Sequence, residues 1–97
     1  MKTLDEIKTI LREHKQELKQ KYGVKETGLF GSYVRGEQKV TSDIDIVADF
    51  EKPISLLELV GVEIYLCEIL KAKVDLIPRE DIREELKESI LKEIVNV

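Results

Sequence analysis

The sequence predicts an α/β (α+β) fold, a small mixed sheet with helices packed on it, and three observations lead there. Apolar residues recur at helical spacing over residues 4–22. They recur at strand spacing over residues 44–50. The two kinds of pattern then alternate along the chain, which brings the strands into one sheet and leaves the helices to cover it.

The elements follow in order. Thr3 and Glu6 have the spacing of a capping box, and Leu4, Ile7, Leu11, His14, Leu18 and Tyr22 form one face of a helix that ends near Gly23. His14 lies on that seam and reads as a histidine packed at the core edge, since no second histidine or nearby cysteine completes a metal set. Residues 24–30 read as a short strand broken by Gly31-Ser32, residues 32–35 as a helical turn, and residues 36–41 as a polar loop. In the strand over 44–50, Ile44, Ile46, Ala48 and Phe50 face one way, while Asp43, Asp45, Val47 and Asp49 face the other. Ser55 and Glu58 suggest a second capping box for a helix over 56–71, so apolar that burial on more than one face is expected. Val74 to Ile77 is a third strand, stopped by Pro78. Asp81 and Glu84 suggest the cap of a last helix, with Ile82, Leu86, Ile90 and Ile94 as its apolar stripe. This order leaves room for three or four strands at most. With no linker or repeat, it is expected to form one domain over residues 1–97.

Composition narrows the class. A chain of 97 residues with 42% hydrophobic side chains can bury one core without staples. The one cysteine, Cys67, allows no intramolecular disulfide. The charged start lacks the apolar run of a signal peptide, and no segment reaches the length of a membrane span, so the expected location is the cytoplasm. Net charge is −4, unevenly spread: residues 1–25 hold seven Lys/Arg against four Asp/Glu, residues 26–97 nine against sixteen. An acidic domain of this kind is not expected to take nucleic acid as a direct ligand. The Lys- and Glu-rich, Gln- and Asn-poor balance resembles that of thermophile proteins.

The chemistry concentrates in two stretches, Gly28 to Gly36 and Ser42 to Ile46. Asp43 and Asp45, two apart on a strand, point the same way, and their charges repel unless a cation or proton lies between them. Such hard oxygen donors suit Mg²⁺ or Mn²⁺. Alone, an Asp-x-Asp pair more often marks only the wet end of a strand. Gly31-Ser32 alters that balance: glycine admits close backbone approach, tight-turn amides favour anions, and the serine hydroxyl adds a donor. Arg35, one helical turn on, can bring its guanidinium fork to the same anion. Asp75, an acid among the apolar residues of the third strand, is a candidate third carboxylate, able to accept or steer the proton of an attacking hydroxyl. Asp49 faces the same side but lies roughly 13 Å beyond Asp45 at ~3.3 Å per residue, too far to share the metals.

Gly31-Ser32, ten residues, then Asp43-Ile44-Asp45 resembles the signature of the DNA polymerase beta-like nucleotidyltransferase superfamily. The longer pattern, Phe30 to Gly36 with Ser42 to Ile46, is similar to its minimal nucleotidyltransferase (MNT) branch. The resemblance implies the nucleotidyltransferase fold and two Mg²⁺ ions, with Mn²⁺ as the alternative, held by Asp43 and Asp45. It implies that Asp75 binds the catalytic ion, that Ser32 binds the triphosphate of ATP through amide and hydroxyl, and that Gly31 allows close approach. Arg35 matches the branch pattern, and its reach to the γ-phosphate is an inference from its chemistry. The resemblance further implies a partner, a HEPN-family ribonuclease toxin, which an MNT protein neutralises as antitoxin by transferring AMP to a tyrosine. The chain is used up by the catalytic fold, so the acceptor is expected to be held by a protein partner or an oligomer, with helix 56–70 as one candidate surface. Two other functions stay open: a binding-only antitoxin, and a free-standing enzyme acting on a small molecule or RNA end.

Overall fold

In the computed structural model, which describes residues 2–97, the chain begins with two helices, α1 (Leu4–Glu13) and α2 (Lys15–Tyr22). The Thr3–Glu6 capping box is formed in both directions, Thr3 N–H to Glu6 Oε1 at 3.0 Å and Glu6 N–H to Thr3 Oγ1 at 3.2 Å. The continuous helix expected over 4–22 is instead broken at His14, whose φ/ψ of −103°/6° leaves the helical region. The His14 ring lies 2.8 Å through Nδ1 from the Ile10 carbonyl and packs edge-on against Tyr65, the packed histidine expected from its place on the seam. Helix α2 closes on Gly23 in the left-handed region at φ 66°.

Strand β1 (Val24–Phe30) leads through the short helix α3 (Ser32–Arg35) to β2 (Ile44–Phe50). Helix α4 (Leu56–Leu70) carries the chain across to β3 (Val74–Pro78). A 3₁₀ turn (Arg79–Asp81) and α5 (Glu84–Glu93) follow, and the chain closes with a two-residue strand, β4 (Val95–Asn96). The sheet order is β3-β2-β1-β4. β1 is antiparallel to β2 and β4, whereas β2 and β3 are parallel, joined by the α4 crossover that a parallel pair requires. The sheet is therefore mixed, as expected.

Three expectations are corrected here. The fourth strand is within the expected number but lies where a helix is expected: Ile94, placed in the last helical stripe, leaves the helix at φ/ψ −55°/131°, and the next residues pair with β1. Asp81 does not cap α5; it ends the 3₁₀ turn, and α5 starts after Arg83 without a side-chain cap. Helix α4, opened by the predicted Ser55–Glu58 box, is buried along one side only, at Val62, Leu66 and Leu70. Its other side leaves Leu56, Leu57, Val60 and Ile64 exposed.

The two faces of the sheet carry different loads. Ile44, Ile46 and Ala48 join Ile7, Leu11, Leu18, Leu29, Leu66 and Leu70 in the main core. On the opposite face Val47, Phe30 and Ile82 form a smaller cluster completed by Ile90 and Ile94. β2 thus has one face committed to stability, and only the middle of its other face is covered. Among the described residues no helix is long and apolar enough to cross a membrane.

Candidate active site

The site forms where the N-terminal ends of β2 and β3 meet the turn after β1. Asp45 stands in register between Phe30 of β1 and Asp75 of β3. Neighbouring strands lie about 4.8 Å apart, so the Asp45 and Asp75 carboxylates are side by side. Asp43, one residue before β2, shares their face by strand alternation. It is Asp45, rather than Asp43, that lies directly opposite Asp75. Asp43 and Asp45 are half-buried and Asp75 is exposed.

Gly31 makes this approach feasible. Its φ/ψ of 82°/−154° is a conformation at home only in glycine. A Cβ at this position would collide with the Asp45 carboxylate. The missing side chain therefore both permits the turn and leaves room for the acid. The Gly31 carbonyl accepts from the Val34 and Arg35 amides at 3.1 Å each, starting α3, and buried Tyr33 anchors that helix in the core. Ser32, half-buried, is the first residue of α3, beside the same turn.

Negative charge outweighs positive around Asp45. Burial, then repulsion from Asp75 and from Asp43, pushes its carboxyl up to about 6; Arg35 opposes this and Glu93 adds to it. Arg35 is only partly free to act on a ligand. Its Nε donates to Glu37 at 2.8 Å and its Nη1 to Glu93 at 2.8 Å. Glu93 Oε1 also accepts the Gly31 amide at 2.7 Å, so the turn read from sequence as an anion cradle already holds a carboxylate oxygen. Glu93 was missed by sequence reasoning. No local pattern marks it, because its place depends on Val95 and Asn96 returning to pair with β1.

Among the described residues no three His, Cys, Asp or Glu side chains converge into a ready-made metal cage. The donor set nevertheless fits Mg²⁺. The ion is commonly held by one or two carboxylates with substrate phosphates and water completing its shell, and Asp43, Asp45 and Asp75 supply hard oxygens with a shared need for positive charge. A cleft of about 730 Å³ adjoins Asp43, with Lys2, Lys71 and Lys73 on its walls. Another of about 490 Å³, between the end of α2 and the start of α4, lies at the far end of β2. Asp49 is engaged elsewhere, accepting from Arg79 Nε at 2.7 Å, and is not part of the constellation.

Comparison with known proteins agrees with this geometry. The nucleotidyltransferase domain model matches residues 11–97. A candidate protein adenylyltransferase of Methanocaldococcus jannaschii is 53% identical, with the whole of both chains aligned. The protein adenylyltransferase MntA of Thermococcus cleftensis is 46% identical, over 100% of this chain and 98% of its own length. A solved structure described as a candidate minimal nucleotidyltransferase superposes with a TM-score of 0.75 at 26% identity, covering 94% of this chain and 95% of that one. A chain of a solved complex, described as tri-AMPylated Shewanella oneidensis HEPN toxin with MNT antitoxin, superposes with a TM-score of 0.69 at 18% identity, over 93% of this chain and 70% of that one. With the sheet, the glycine turn and the paired strand-end carboxylates in place, this chain belongs to the nucleotidyltransferase domain family and is an enzyme of that kind.

Proposed function

We propose that the protein is a Mg²⁺-dependent adenylyltransferase that moves AMP from ATP to a tyrosine hydroxyl of a HEPN-type ribonuclease toxin, and so acts as that toxin's antitoxin. The observation that carries the transfer chemistry is the register of Asp45 against Asp75 beneath the Gly31 turn. The acceptor class is supported by the 46% identity to a protein named adenylyltransferase MntA. It is supported further by the shared fold with a chain of the solved complex of AMPylated HEPN toxin with MNT antitoxin.

Residue roles follow from position. Ser32 binds the triphosphate through its amide and hydroxyl, and Arg35 adds positive charge to the terminal phosphate. Asp43, Asp45 and Asp75 would hold Mg²⁺, which when bound neutralises the phosphate charge and relieves the repulsion among the three acids. Asp75, the most exposed of them, faces the incoming hydroxyl and takes its proton. The hydroxyl oxygen bonds to the α-phosphorus, the bond from that phosphorus to the α–β bridging oxygen breaks, and pyrophosphate leaves. Little covalent chemistry falls to the protein, so most of its contribution is placement and charge stabilisation.

The test is to mix the protein with its HEPN partner, ATP and Mg²⁺, and to follow the partner's intact mass and ribonuclease activity. The expected result is one or more AMP units on the partner, located to tyrosine by peptide mapping, with ribonuclease activity falling in step. A partner silenced without any mass change would replace transfer with simple binding.

A further inference from the structure

We propose that Glu93 is a positioning residue for ATP: one carboxylate oxygen fixes both the Gly31 amide and the Arg35 guanidinium in the geometry that receives the triphosphate. This rests on the assignment of Gly31, Ser32 and Arg35 to the triphosphate. The two hydrogen bonds, at 2.7 and 2.8 Å, span 62 and 58 residues of sequence, so they tie the last helix to the catalytic turn.

The placement of Glu93 is built rather than incidental. Helix α5 has no fully buried residue, yet the Glu93 side chain is only 19% exposed. Immediately beyond it, Asn96 and Val95 pair with Gly28 and Leu29 of β1, and the Val97 amide donates to the Thr27 carbonyl at 3.0 Å. Ile94 lies so close to Gly28 that a Cβ there would meet its Cγ2 at 2.7 Å. Gly28 thus admits Ile94 and lets the chain after α5 dock on β1, the strand that runs directly into Gly31. The backbone of Glu93 and the backbone it holds are fixed to the same strand, three residues from the turn.

The consequence for Arg35 is preorganisation. A free arginine loses considerable rotamer entropy when it closes on a phosphate. With Nε on Glu37 and Nη1 on Glu93, the guanidinium is held before ligand arrives, and two of its five N–H donors are engaged. The remaining donors are presented in a fixed plane, which lowers the ordering cost of binding. The opposite role for the same contact, a carboxylate in the cradle that ATP must expel, predicts tighter ATP binding when the Glu93 charge is removed.

The experiment compares Glu93→Gln, Glu93→Asp, Glu93→Ala, Arg35→Ala and the Glu93→Ala/Arg35→Ala double variant. Calorimetry gives the Kd for ATP with Mg²⁺, and mass spectrometry gives the transfer rate at saturating ATP on the HEPN partner. Glutamine keeps an oxygen at the right reach and loses the charge, while aspartate keeps the charge and loses the reach. Positioning predicts Kd within about threefold of wild type for Gln, and about tenfold weaker for Asp and Ala, with the saturated rate much less affected. The double variant should lose less than the sum of the two single losses, because part of the Glu93 effect runs through Arg35 and the rest through the Gly31 turn. Tighter ATP binding in Glu93→Gln or Glu93→Ala, or full additivity in the double variant, would overturn the proposal. Thermal melting checks each fold, and aspartate, which keeps the charge and loses the reach, keeps the test decisive if alanine unfolds the chain. Ser32→Ala and Asp45→Ala serve as controls. If these too leave ATP binding unchanged, the assignment of the site fails; if they weaken it while every Glu93 variant binds as wild type, the Glu93 inference alone fails.

Discussion

Asp45 and Asp49 share one face of β2, and their surroundings treat them in opposite ways. Asp49, toward the C-terminal end, accepts from Arg79 at 2.7 Å, an acid matched by a base. Asp45, toward the N-terminal end, has Asp75 beside it, Asp43 two residues before it and Glu93 nearby, with Arg35 as counter-charge. The same side chain on the same strand is paired with a base at one end and left half-buried among like charges at the other. That difference separates the site from the scaffold. An acid half-buried among like charges costs stability, and the proposed function gives that cost a use, since a bound cation and nucleotide would complete the site.

The comparison can be broken most forcefully by swapping amides for acids. Asp45→Asn should lower AMP transfer about a thousandfold, since losing the charge stabilisation assigned to a bound cation is worth several kcal/mol. Asp49→Asn should leave the transfer rate within about twofold. Rates of mass gain on the partner measure both, and equal losses in the two variants would erase the distinction.

The next effect is on stability without metal. Asp45→Asn removes the repelling charge and should raise the melting temperature by roughly 4–8 °C, about 1 kcal/mol once solvent screening of a half-buried group is allowed for. Asp49→Asn should lower it. Differential scanning calorimetry in EDTA decides the signs.

A pH series sharpens the same point. The Asp45 carboxyl titrates at about 6 in the fold against 3.8 in the unfolded chain, so between those values the folded state holds more proton. Its contribution to stability is therefore complete below about pH 4, is lost as pH rises through 6, and stays lost above. The wild-type minus Asp45→Asn stability difference, followed by urea melts from pH 4 to 8 without metal, should fall and then level off. A flat difference would mean that neither burial nor the neighbouring acids raise the Asp45 carboxyl. The smallest effect is expected from Arg79→Met, about 0.5–1 kcal/mol, because a half-exposed ion pair contributes little.

How much of this was legible depended on how local each signal is. The Gly31 turn, the Asp43/Asp45 pair, the alternating faces of β2 and both true capping boxes lie within a few residues of chain, where spacing alone fixes direction. Asp75 was legible as an acid out of place in an apolar strand, but its partner was not. Only the parallel register shows that it meets Asp45 rather than Asp43. The break at His14 left no mark in the periodicity, because α1 and α2 keep their apolar residues on one core side. β4 and Glu93 were hidden because they depend on Gly28 accepting Ile94, a contact across 66 residues. The apolar surplus of α4 suggests burial, yet Leu56, Leu57, Val60 and Ile64 lie on the outward side, and composition does not say which side a core will use.

The central claim is that Asp45 and Asp75, in register, form one transfer site in which Asp75 serves the reaction more than nucleotide binding. The direct test is Asp75→Asn, measured twice: calorimetric Kd for ATP with Mg²⁺, and single-turnover AMP transfer to the partner. The account predicts ATP affinity within about threefold of wild type and transfer slower by at least a hundredfold, the pattern of an interaction made mainly in the transition state. Transfer at the wild-type rate would contradict it.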